Sequence, residues 1–262
     1  ARKIISETPS LGAAVFLIAD GKTRTWEVIE RSPRQAVVRK TPARVITGRF
    51  ATSKFADDPH VERARREQRP VAREQRGTEL LGMVPFITAK DMVEILRDKR
   101  GKKNAPLPLG HGKALASFPG SQNVVIDPSG LSIWVSETAD SEGQFTAIDL
   151  RHALLDEGSA PAPPPSISAG EASRALSTLR QAMEHTETGR IAFHNGDYQE
   201  AIKHAGFAVS LAPTFASGAL LAADALYATG DIKQAQDHYK RFMKLSPENI
   251  ELEQEIKSLL ED

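Results

Sequence analysis

Thr188-Gly189-Arg190-Ile191-Ala192-Phe193-His194-Asn195-Gly196-Asp197-Tyr198-Gln199-Glu200-Ala201-Ile202 reads as the end of one helix, a tight turn and the start of the next. Glycine suits the end of a helix because it tolerates positive φ. An aspartate directly after it can accept from the free N–H groups of the following helix. The pattern returns 34 residues later: Gly230-Asp231-Ile232 repeats Gly196-Asp197-Tyr198, Ala235 repeats Ala201, and Leu245-Ser246-Pro247 repeats Leu211-Ala212-Pro213. A fixed period of this length marks stacked helical hairpins, in which each unit buries its apolar face against the next.

The period and these residues resemble the tetratricopeptide repeat. Two full repeats are expected, over 182–215 and 216–250. Gly189, Ala223, Ala201 and Ala235 are small where helices approach closely, and Pro213 and Pro247 end the second helix of each repeat. Residues 169–182 have helical spacing and lead into the first repeat helix. Ile250, Leu252, Ile256, Leu259 and Leu260 form the stripe of a capping helix. The resemblance implies a protein or peptide partner held in the repeat groove. Asn195, Lys203, Lys233 and Lys240 are the expected partner-binding residues, suited to clamping a carboxylate.

Upstream, the Pro-rich run 158–168 reads as an extended, semi-rigid linker between a 1–157 domain and the 169–262 helical module. The N-terminal pattern is mixed. Leu11–Ala19 is a continuous apolar run, and Asp20-Gly21 then predicts a hairpin into Arg24–Ile29. Further strands are expected at Gln35–Arg39, Arg44–Thr47, Gln122–Ile126 and Leu131–Ser136, with Phe145–Ile148 closing the sheet. Val61–Leu81 reads as a charged helix broken at Pro70, and Thr88 caps a short amphipathic helix running to Asp98. The fold class is α+β, followed by an all-α module.

Phe16–Gly21, Val28-Ile29-Glu30-Arg31-Ser32-Pro33, Ala51-Thr52-Ser53-Lys54-Phe55, Met92–Asp98, Val124–Pro128 and Ile133–Ser136 resemble, in order and spacing, the penicillin acyltransferase-like, choloylglycine hydrolase-related N-terminal nucleophile hydrolases. The resemblance covers about residues 4–150. It implies a partial αββα-layered catalytic domain that hydrolyses or transfers a small acylated amide. The nucleophile would come from a preceding segment or a second chain, because Ala1 cannot serve and no cysteine is present. Ser53 would take the oxyanion-side position, and Lys54, Ser121 and Asn123 would line the substrate pocket. The alternative is a non-catalytic adaptor whose degenerate hydrolase-like domain positions the repeats.

The absence of cysteine excludes disulfides and thiolate metal sites within this chain. Residues 1–150 carry 24 basic and 18 acidic side chains against 10 and 16 in the remainder, so the charge is split between the halves and cancels overall. That balance points away from nucleic acid as a partner. The run Arg63, Arg65, Arg66, Arg69, Arg73 and Arg76 is interleaved with glutamates and lacks aromatic residues, so it reads as a solvated helix face. The seven histidines lack metal-ligand spacing, no cofactor motif is present, and no apolar run is long enough to span a bilayer.

Overall fold

The computed structural model describes residues 1–56, 68–116, 122–138, 140–151, 154, 164–170, 174–246, 254 and 256–258. The chain divides into two compact units. One consists chiefly of Ala1–Ala105 and Gly120–Gly170, the other of Glu171–Asp262 with Pro106–Gly112.

The first unit combines helices with two small antiparallel sheets. It opens with a short helix, α1 (Arg2–Glu7), which the sequence pattern did not reveal. Strands β1 (Ala14–Asp20), β2 (Thr25–Arg31) and β3 (Ala36–Arg39) pair in that order. Helices α2 (Gln68–Met83) and α3 (Ala89–Leu96) follow. Strands β4 (Val124–Asp127), β5 (Ser132–Ser136) and β6 (Phe145–Asp149) then form a separate sheet, again in sequence order. The expected closure of a single sheet by the last strand does not occur, because β6 pairs with β5 and forms an isolated bridge from Phe145 to Ile167.

Both sheets are built from the same turn. Asp20 ends β1, and its Oδ1 accepts from the N–H groups of Lys22 and Thr23 at 2.8 and 3.2 Å. Asp127 ends β4 and does the same for Ser129 and Gly130, both at 2.9 Å. Four residues beyond each aspartate a non-glycine adopts the left-handed region, Arg24 at φ 54° and Leu131 at φ 51°. The Asp-Gly signal therefore located the hairpin but not its geometry. Gly21 is needed for space, since a Cβ there would lie 2.1 Å from the Pro128 carbonyl oxygen at the tip of the other hairpin.

Three expectations for this unit change. Residues 44–47 form no strand, because Val45 packs instead on α2, where a Cβ on Gly77 would lie 3.0 Å from its side chain. Helix α2 runs unbroken through Pro70 over its described span, and residues 61–67 of the expected helix lie outside the described residues. Arg76 is not on a solvated face. Its side chain is 2% exposed and donates to Asp98 through Nε (2.9 Å) and Nη2 (2.8 Å), to Glu79 (3.1 Å) and to Asn104 (2.7 Å). A guanidinium has five donors in a fixed fork, and this one is buried because its acceptors come with it. Arg63, Arg65 and Arg66 lie outside the described residues.

Thr88 caps α3 as expected, in a capping box with Asp91. At the other end of α3, Arg97 donates to the carbonyls of Ser141 (2.8 Å), Gly143 (3.0 Å) and Ser168 (2.9 Å). Its guanidinium also lies 5.6 Å from the centre of the fully buried Phe145 ring. The described end of the Pro-rich run is thus no free spacer. Trp134 Nε1 donates to Pro165, Ile167 exchanges both backbone bonds with Phe145, and Gly170 N–H reaches the Glu142 carbonyl. Residues 158–163 lie outside the described residues.

The second unit is helical throughout its described residues from 174 onward: α4 (Arg174–His194), α5 (Tyr198–Leu211), α6 (Ala216–Ala228) and α7 (Ile232–Leu245). Helix α4 is long because the flank runs straight into the first repeat helix. Gly196 (φ 82°) and Gly230 (φ 85°) make the turns, and the carboxylates of Asp197 and Asp231 accept from Glu200 and Gln234. Helix α5 ends two residues before Pro213. Ala201, Ala205, Ala208, Ala223 and Ala235 are fully buried. At Gly189 a Cβ would lie 2.8 Å from Leu221, 3.0 Å from His204 Cβ and 3.3 Å from the Ala201 carbonyl, so three helices converge where the side chain is missing. Ile256 joins the cluster of Ala219, Ala223, Leu226, Ala235, Tyr239 and Phe242, and Ile250, Leu252, Leu259 and Leu260 of the expected capping stripe lie outside the described residues.

This packing separates two substitutions on one helix. Ala201→Leu should lower the stability of the helical unit by about 1–3 kcal/mol through overpacking. Gly206→Ala meets nothing within 4 Å. It should instead raise stability by roughly 0.5–1 kcal/mol through helix propensity. Urea unfolding of the full chain followed by far-ultraviolet circular dichroism measures both.

Candidate functional site

Two of the six segments of the hydrolase resemblance, Val28–Pro33 and Ala51–Phe55, meet at one carboxylate. Glu30 points to the face of β2 between Val15 of β1 and Val37 of β3, its register neighbours. Phe50 and Phe55 cover those valines. Glu30 has no exposure, a costly place for a carboxylate unless it is fully bonded. It accepts from Ala51 N–H (2.8 Å), Thr52 N–H (3.0 Å) and Thr52 Oγ1 (2.8 Å), and Arg39 lies 3.6 Å away.

This arrangement decides where the expected site residues go. Residues Ser53–Phe55 form a single 3-10 turn. Thr52 anchors the turn to Glu30, and Phe55, 2% exposed, takes the inward position. Ser53 and Lys54 are consequently exposed, with the Lys54 carbonyl accepting from Gln35 at 3.5 Å. Neither lines the cavity of about 660 Å³ between β1, residues 44–48, α2 and α3. Asn123 is half-buried at the start of β4, its carbonyl bonded to Ser136 N–H at 2.9 Å. Ser121 lies outside the described residues.

In the helical unit Asn195, Lys203, Lys233 and Lys240 are all exposed. They are spread over the α4–α5 turn, α5 and α7, and Lys203 is engaged by Glu200 at 2.9 Å. The more unusual polar groups are ones the sequence reading passed over. Asp224 of α6 is half-buried and accepts from Tyr239 O–H of α7 at 2.8 Å. Burial holds its carboxyl above the usual range, against the lowering effect of that hydrogen bond. Burial, with Asp224 beside it, also pushes the Tyr239 hydroxyl well up. Tyr227, three residues along the same helix face, is 40% exposed. Helix spacing had marked both positions as helical, but only the fold shows that Asp224 is desolvated without a cationic partner among the described residues.

The histidines are not all scattered. His185 of α4 and His204 of α5 meet Nδ1 to Nδ1 at 2.9 Å, with the Phe207 ring centre 5.0 Å from that of His185 and the two rings tilted. Glu200 lies 3.3 Å from His204 Nε2. The tautomers of the two rings set which nitrogen donates across this contact. The ring centres are 5.2 Å apart. That is close to the collinear limit for two five-membered rings joined head-on, as a shared hydrogen bond requires. Among the described residues no group of three or more histidine or carboxylate side chains is placed to hold a metal ion. No described helix is long and apolar enough to cross a membrane.

Residues 192–253 match the sequence profile of the tetratricopeptide repeat. No curated protein matches the chain.

A carboxyl raised by burial weakens the fold when charged. Its penalty is absent below its unfolded value, about 3.9, and grows as pH rises through the folded value. Asp224→Asn should therefore raise the urea midpoint of the helical unit at pH 7. The gain should shrink as pH falls from the raised folded value toward about 4 and be gone below it, which a series of unfolding curves across pH would show.

Proposed function

We propose that this protein is an interaction protein whose tetratricopeptide unit holds a peptide segment of a partner protein, with Asp224 receiving a basic side chain of that segment. The observation that carries this reading is the half-buried Asp224 carboxylate. It costs stability where it stands, and such groups are concentrated at functional sites. Tyr227 beside it offers a partly exposed ring with a polar tip, suited to an interface. Helices α4 and α6 pack side by side and would form the floor of the groove. Asn195, Lys203, Lys233 and Lys240 would then act as rim contacts that assist orientation and association rate.

A peptide selected from a phage-displayed library on the full chain, labelled and titrated by fluorescence anisotropy, tests this. Asp224→Asn and Tyr227→Ala should each weaken binding about tenfold, about 1.4 kcal/mol. Unchanged affinity in both variants would reject the site.

A second reading is favoured by the Glu30–Thr52 junction, which ties together two of the six segments of the acyltransferase-like resemblance. In it, the first unit is the C-terminal part of an amide hydrolase or acyltransferase of the N-terminal nucleophile type, completed by a preceding segment or second chain. Ser53 would serve the oxyanion side, with Lys54, Ser121 and Asn123 near the substrate. The non-catalytic adaptor is the alternative within this reading. Purified 1–262 should show no turnover of acylated amides by itself, because this reading takes the nucleophile from a preceding segment or second chain. Turnover that survives Ser53→Ala would exclude this assignment of roles.

A further inference from the structure

Helices α4 and α5 approach closely because small residues line their contact. Ala201, Ala205 and Ala208 of α5 are fully buried, and a Cβ on Gly189 of α4 would lie 3.0 Å from His204 Cβ. His185 stands one turn before Gly189 on the same face of α4, so the backbone beneath both histidines is fixed by this contact. The rings meet Nδ1 to Nδ1 at 2.9 Å, on rigid elements rather than loops. Neither ring is sealed from solvent: the His204 side chain is 17% exposed and His185 is half-buried.

A hydrogen bond between two such nitrogens uses one proton and one lone pair. Replacing that proton with a metal ion makes both nitrogens ligands, and the dimensions permit it. With Zn–N bonds of about 2.0–2.1 Å and a tetrahedral angle, two ligating nitrogens stand about 3.4 Å apart and their ring centres about 5.2 Å apart. The ring centres of His185 and His204 are already separated by 5.2 Å. Tilting the rings until the nitrogens part by about half an ångström would admit the ion without moving either helix. Imidazole suits zinc, copper and nickel, whereas calcium and magnesium take oxygen ligands. Glu200 Oε1 lies 3.3 Å from Nε2 of His204, the nitrogen remote from His185, and also accepts from Lys203. A carboxylate beside the far nitrogen of a ligating histidine orients the ring and raises its basicity.

We propose that His185 and His204 form a two-histidine site for a divalent transition-metal ion of the zinc, copper and nickel class, bound through both Nδ1 atoms and cross-linking α4 to α5. The described residues place no third histidine or carboxylate to complete the set, so water fills the remaining positions, as in open zinc sites. The site does not rest on the partner reading at Asp224.

The test is calorimetric titration of the full chain with zinc chloride in a non-chelating buffer, beside magnesium chloride. Zinc should bind at one saturable site per chain, and magnesium should not bind. His185→Phe and His204→Gln should each weaken zinc binding by about tenfold or more. His194→Ala, on an exposed ring of α4, should leave it unchanged. Circular dichroism and the urea midpoint without metal verify that the variants fold. A second readout reports the cross-link: excess zinc should raise the urea midpoint of the unsubstituted chain and not that of His185→Phe or His204→Gln. Absence of saturable zinc binding, equal binding of magnesium, a midpoint unmoved by zinc in the unsubstituted chain, or undiminished affinity in both folded variants would overturn the proposal.

Discussion

Arg97 is the residue on which the first unit closes. Its guanidinium takes three carbonyls from two chain segments, one at Ser141 and Gly143 and one at Ser168, and lies beside the buried Phe145 ring. Carbonyls in such loops have no strand partner, and leaving them buried without donors would cost on the order of 1–3 kcal/mol each. A single planar donor placed at the end of α3 resolves all three. With the loop and the 164–170 segment held, Ile167 can bridge to β6 and Trp134 can donate to Pro165, so the second sheet gains a cover along its last strand.

The same principle, a buried charge kept because its partners are brought to it, recurs at Arg76 and Glu30. Arg76 gathers Asp98, Glu79 and Asn104 around the side of α2. Glu30 gathers the backbone of Ala51 and Thr52 under Phe50 and Phe55. Removing one partner of such a group costs more than the pair contributes, because the remaining charge stays buried. These three hubs give the first unit its connectivity, since each of its sheets has only three strands.

The helical unit is organised by the opposite means. Its interfaces are built from missing volume: Gly189 and the buried alanines let helix backbones approach, and dispersion and apolar burial do the rest. Against that background Asp224 and the His185–His204 pair stand out, since each places polar atoms where apolar ones would pack more simply. A group kept at a cost to stability is where interaction chemistry is expected.

The repeat was legible in the sequence because its determinants are local and periodic. A glycine at positive φ, an aspartate cap and small residues at a fixed interval act within a few residues of themselves, so Gly196, Asp197, Ala201 and their equivalents 34 residues on mark the helices directly. The hairpins at Asp20 and Asp127 and the cap at Thr88 were legible for the same reason. The partition into two separate sheets, the inward turn of Thr52 and Phe55 that leaves Ser53 exposed, the burial of Arg76 and Asp224, and the meeting of two histidines 19 residues apart were decided by tertiary structure alone. Whether a charge is solvated or buried, and which hydroxyl of a short motif faces inward, depends on what the rest of the chain places above it. That information resides in contacts between segments remote in sequence, so composition and spacing could not supply it.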